Sequence, residues 1–189
     1  MNMNRPPAKI ADLPFNQRIL TVQTSWRRLP PVLEILREVP VDIRRALIQP
    51  EQSTLFVNTN CPIATSEDLR TLIHRAENDP FVPPVSIQGK VELPLDTKIL
   101  MYNVPHVPYT TMEFYCKDRI GLLSDLLQYI IQLDMDVYAA HITTMYDQAH
   151  NIFHLTKHNQ PLEPFELLYI RNVFEHDVKP RFKDCNDLL

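Results

Sequence analysis

Two glycines occur in the 189 residues, Gly89 and Gly121. The second stands in CKDRIGLLSDLL (116–127), the stretch with the clearest capacity for chemistry. Asp118 can cap the helix that follows with its carboxylate. The exposed N–H groups of the first turn of that helix carry partial positive charge, a ready place for a carboxylate ligand. Gly121 has no Cβ, so backbone or ligand can come close at that turn. The plainer alternative leaves Asp118 as a cap and Gly121 as a packing glycine.

Other reactive residue types point to less. His150, His154 and His158 alternate along a predicted strand, with His141 on the same outer face. A strand rises about 3.3 Å per residue, so positions four apart are about 13 Å apart and cannot share one ion. No metal is expected there. Cys116 ends a strand beside the loop, but a catalytic thiol needs a base and a lowered pKa, and no Cys–His pairing is legible. It reads as a buried strand cysteine. Trp26, the sole Trp, reads as a hydrophobic plug or a partner contact.

Composition excludes more classes than it suggests. With 17 prolines and two glycines, neither a dinucleotide fingerprint nor a P-loop can be assembled. The net charge of −4 offers no basic footprint for nucleic acid. Three scattered cysteines argue against a disulfide framework and for a reducing compartment. There is no signal-like apolar run and no 18-residue apolar stretch, so a cytoplasmic, membrane-free protein is expected.

Residues 1–16 read as a tail. A strand at 18–25 then leads to a helix at 28–39, whose prolines fall in the first turn, where they are tolerated. Strands at 41–49 and 53–59 follow, with a turn at PEQ, then a helix at 66–79 opened by the cap residue Ser66. The second half repeats the order: a strand at 109–116, a helix at 119–133, a hairpin of 135–146 and 150–158 around DQA, and a helix at 163–177. That last helix carries Phe165, Leu168, Val173 and Phe174. A slide of 91 to 94 positions lays VDIRRALI on MDVYAAHI and TSWRRLPPVLEIL on YCKDRIGLLSDLL. The pattern predicts a tandem pair of α+β units, each a ferredoxin-like antiparallel sheet with helices on one face. The segment between them holds two further strands, around 85–92 and 97–103. The first could close unit one and the second could serve unit two.

The stretch resembles the signature of the ACT domain, an amino-acid-sensing regulatory fold with βαββαβ topology. In that family D-R-x-G-L-L joins the first strand to the first helix. Residues 18–178 are similar to the C-terminal ACT repeats of bacterial PII uridylyltransferases, glutamine-responsive enzymes of nitrogen control. The matching positions are Asp118, Arg119, Gly121, Leu122 and Leu123, then Ala140, Ile142, Thr144, Asn151 and Phe153. Departures are Ile120 for the usual Pro, Asn151 for an acidic residue, and a hairpin turn near Asp147 without Gly-Glu. In the first repeat Arg27 and Pro30 replace the Asp and the Gly.

The resemblance implies a degenerate ACT-like repeat at 17–93, an ACT repeat at 94–180 and a tail at 181–189. It implies a ligand cradle at Asp118, Arg119, Ile120, Gly121, Leu122 and Leu123, taking an amino acid such as glutamine, with its amine near Asp118. The catalytic domains of that family have no counterpart in these residues, so no enzyme activity and no cofactor are expected. The implied role is to control a partner protein or an attached enzyme, with a homodimer or partner protein at a sheet edge. The alternative is a pair that has lost its ligand and serves as an interaction subunit.

Overall fold

Strands form where apolar side chains alternate with polar ones, because successive residues point to opposite faces. In the computed structural model this builds β1 (Lys9–Asp12), β2 (Gln17–Val22), β3 (Val41–Ile48) and β4 (Ser53–Thr59). It also builds β5 (Lys98–Asn103), β6 (Thr110–Lys117), β7 (Asp136–Met145) and β8 (Gln148–Thr156). The structure describes residues 9–12, 17–22, 24–38, 41–59, 71, 73–74, 93–94 and 96–178. Three α-helices lie among them: α1 (Leu29–Glu38), α2 (Leu122–Gln132) and α3 (Pro164–Val178). A 3-10 turn, Trp26–Arg28, leads into α1.

All eight strands form one antiparallel sheet in the order β1-β2-β4-β3-β7-β8-β6-β5. The class is therefore α+β, compatible with ferredoxin-like units placed edge to edge. The halves meet where β3 pairs with β7, Ala46 opposite Ile142, Leu47 opposite His141 and Ile48 opposite Ala140. This register is symmetric under the slide of 94 positions (46 to 140, 48 to 142), with Leu47 and His141 on the axis. Both strands also carry a bulge at the same place, between Ile43 and Arg45 and between Val137 and Ala139. A bulge in matching positions bends both strands alike.

Helices α1 and α2 pack together on one face of the sheet. In the first half Leu29, Val32 and Leu36 of α1 are buried, together with Leu20, Ile48 and Leu55 of the sheet. Met112, Phe114, Leu126, Leu127, Ile130 and Phe153 continue the core through the second half. Burial of such side chains stabilises by about 1.5–3 kcal/mol each.

Several expectations change in detail. Residues 9–12, inside the stretch expected to be a tail, are strand β1 and pair with β2. The strand expected around 97–103 is β5, which closes the far edge beside β6. The strand expected at 85–92 and Cys61 and Cys185 lie outside the described residues. Of the helix expected at 66–79, Thr71, Ile73 and His74 are described; all three are helical and Ile73 is buried. Helix α2 begins three residues later than expected, because Gly121 adopts φ 82° and the chain turns before it coils. Helix α3 buries Ile170 and Phe174 but leaves Phe165 and Leu168 69% and 60% exposed. No helix among the described residues is long and apolar enough to cross a membrane.

Candidate functional site

The turn between β6 and α2 opens onto a cavity of about 390 Å³ at the seam between the halves. All six predicted positions, Asp118 to Leu123, line it. So do Ile142, Thr144 and Asn151 from the second-half sheet. Residues of the first half close the opposite side: Leu33, Leu36 and Arg37 of α1, and Val41 to Arg44 of β3. Sequence reasoning missed these, since nothing local in EILRE or VDIRR marks a binding residue.

Asp118 does not cap α2. The N-cap is Gly121, and the helix start has no side-chain cap hydrogen bond. The Asp118 N–H instead donates to the Asp147 carbonyl at 2.8 Å, pinning the turn to the β7–β8 hairpin. Burial holds the Asp118 carboxyl above the usual carboxylate range. Hydrogen bonds from the Thr144 hydroxyl and the Arg119 N–H oppose that shift, while the charge of Asp42 adds to it. A half-buried carboxylate of this kind favours a cation beside it. Leu122 and Leu123 are buried and supply an apolar wall, whereas Ile120 is 72% exposed and points away from the core. The Leu123 and Ser124 N–H groups belong to the set that a helix start leaves without an in-helix partner.

Two arginines of the cavity are already engaged. Arg119 forms an ion pair with Asp125. Arg44 pairs with Asp42 at 2.6 Å and donates to the Tyr146 carbonyl at 3.1 Å, tying the first half to the second-half hairpin. Arg37 lies on Gly121: a Cβ built there would come within 2.5 Å of its Nε and Nη2. Its Nη1 donates to both oxygens of Glu34, at 3.0 and 2.9 Å. Glu34 also accepts from the buried Ser124 hydroxyl at 2.6 Å. The room that Gly121 provides is thus used by a side chain from the other half.

Asn151, also lining the cavity, is only 1% exposed, and neither its amide nitrogen nor its amide oxygen has a hydrogen-bond partner among the described residues. Leaving a buried amide unbonded costs about 1–3 kcal/mol. Its counterpart is Ser53, since Ser53 pairs with Ile48 as Asn151 pairs with Ile142. The buried Ser53 hydroxyl likewise has no hydrogen-bond partner among the described residues. The corresponding turn of the first half differs. Trp26 is buried and its backbone N–H donates to the Pro50 carbonyl at 3.1 Å. Arg27 stacks over Trp26 and donates to Asp136 at 2.7 Å. Trp26 is therefore a plug.

The remaining sequence candidates resolve into packing. Burial pushes the Cys116 thiol up to about 11, the opposite of an activated nucleophile. His150 contacts Glu113 at 2.9 Å and stacks on Tyr115. His154 contacts Thr111 at 3.3 Å and packs on Tyr109, with its ring 6.3 Å from that of His141. His158 does not continue the row, because β8 ends at Thr156 and His158 sits in a turn with φ 52°.

No protein-family model matches the chain. Over 107 residues it is 28% identical to the bifunctional uridylyltransferase/uridylyl-removing enzyme of Pseudomonas fluorescens. The match covers 53% of this chain and 12% of that enzyme. The chain is thus related in sequence to a small part of a much longer uridylyltransferase.

Proposed function

We propose that the chain is a non-catalytic regulatory module of two ACT-like units, which binds one small amino acid, such as glutamine, in the cavity at its seam. The observation that carries this is the convergence on one cavity of the Asp118–Leu123 turn, a half-buried carboxylate and an unbonded buried amide. The ligand ammonium lies by Asp118 and its carboxylate by the start of α2. Its side chain reaches toward Asn151, whose donor and acceptor complement a carboxamide. Because both halves line the cavity, a bound ligand favours one arrangement of the seam and passes that preference to a partner protein or attached enzyme of nitrogen metabolism. The preference is limited to the ligand's differential affinity for the two arrangements. The likeness to a uridylyltransferase/uridylyl-removing enzyme supports a regulatory role.

A second reading, a ligand-free interaction subunit, is favoured by Arg37 lying over Gly121 and by Trp26 filling the first-half turn. Thermal melting against the twenty amino acids at millimolar concentration separates the two. A ligand at 100 times its dissociation constant adds about 2.7 kcal/mol. A stabilising amino acid whose effect is weakened in Asp118→Asn supports the sensor; no shift with any of the twenty leaves the interaction subunit.

A further inference from the structure

Resting on the amino-acid reading above, we infer that Arg37, a residue of the first half, is the receptor for the ligand's α-carboxylate. Of the three atoms of Arg37 nearest to a Cβ placed on Gly121, Cζ is closer than Nε or Nη2. The guanidinium therefore lies with its flat face on the glycine, and its edges stay in the open plane. One edge is taken, since Nη1 donates to both oxygens of Glu34. The Nε–Nη2 edge has no hydrogen-bond partner among the described residues. That edge is the fork that grips a carboxylate through two parallel hydrogen bonds.

Three features adapt it to this task. Glu34, itself held by the buried Ser124 hydroxyl, biases the guanidinium toward this orientation and so lowers the ordering cost of binding. The other cavity arginines, Arg44 and Arg119, are drawn to Asp42 and Asp125. Arg37 also stands over the first turn of α2, where the helix dipole favours the same negative charge. Asn151, buried and unbonded along the same cavity, independently marks it as built for a ligand. In this arrangement Gly121 is required in order to seat the arginine, and the ligand spans the seam with its two charged groups on different halves.

The test is calorimetry and thermal melting of the full chain with the twenty L-amino acids and, separately, their α-carboxamides, which keep the ammonium and lose the acid. In the wild-type chain one amino acid binds about 10- to 100-fold more tightly than its α-amide, the span of a charge-assisted pair. In Arg37→Gln that acid-over-amide preference disappears, and in Arg37→Lys, which keeps the charge without the fork, it falls part of the way. Asp118→Asn weakens acid and amide alike and leaves their ratio intact. If Arg37→Gln keeps the wild-type preference, Arg37 is not the receptor, while the sensor itself stands. If no amino acid binds the wild-type chain, both are overturned.

Discussion

Replacing Gly121 by alanine imposes two separate burdens, and a mutant cycle tells them apart. The backbone there has φ 82° and ψ −2°, the left-handed region. A Cβ in that region costs about 1–2 kcal/mol. The new methyl also meets Arg37, with Nε and Nη2 at 2.5 Å. That guanidinium is the far end of a flexible side chain, so it swings aside and gives up its contacts with Glu34, an exposed pair worth about 0–1 kcal/mol. Gly121→Ala should thus destabilise by about 1–3 kcal/mol. For a chain of 189 residues each kcal/mol is about 2–4 °C in melting temperature, so a drop of about 2–12 °C is expected. In an Arg37→Ala background the clash is gone and only the backbone burden of about 1–2 kcal/mol remains. The coupling between the two sites, read from denaturant melts of the four proteins, should stay within about 1 kcal/mol. If alanine at 121 leaves stability unchanged, the turn is not left-handed and the stacked position of Arg37 falls with it.

Asn151→Leu should raise stability by about 1–3 kcal/mol, because it removes an unbonded buried amide, and should abolish any amino-acid-induced shift in melting temperature. A fall in stability with ligand response intact would show that the amide is satisfied and structural. On the open face, Glu113 is 8% exposed and accepts from Tyr115 at 2.5 Å and Tyr102 at 2.8 Å, with His150 at 2.9 Å. The Tyr115 hydrogen bond first, then those of His150 and Tyr102, hold its carboxyl below the usual range. A lowered folded-state pKa stabilises above the unfolded value near 4.5, and that contribution is lost as pH falls through the folded one. Glu113→Gln should therefore cost about 1–2 kcal/mol at pH 7. The gap from wild type should close as melts are taken below pH 4.5, and a gap independent of pH would show that the charge is not what matters.

Periodicity alone delivered most of the element order. The helices at 29–38 and 122–132 and the hairpin strands fall within a few residues of where apolar spacing puts them. The slide of 94 residues reappears in the register of β3 against β7 and in their matched bulges. These features are local: a helix or a strand shows its buried face in the spacing of its own residues. The unusual backbone of the turn at 118–123 was legible for the same reason, since one glycine in a glycine-poor chain marks a backbone that needs room, and Gly121 has φ 82°.

The roles of residues at that turn were not legible, because they depend on what the other half brings. Asp118 fits a cap by its place before a helix, yet Thr144 and the hairpin claim it. Phe165 and Leu168 fit a helical stripe, but what buries a stripe is a neighbour, and α3 meets its neighbours along Ile170 and Phe174. Arg37 carries no signal of its own; it reaches the cavity because pairing β3 with β7 brings α1 against α2 and lays a guanidinium on a glycine 84 positions further along (37 to 121). A sequence determines its elements through near neighbours. The site was decided by contacts between residues far apart in the chain, which exist only once the sheet has closed its seam.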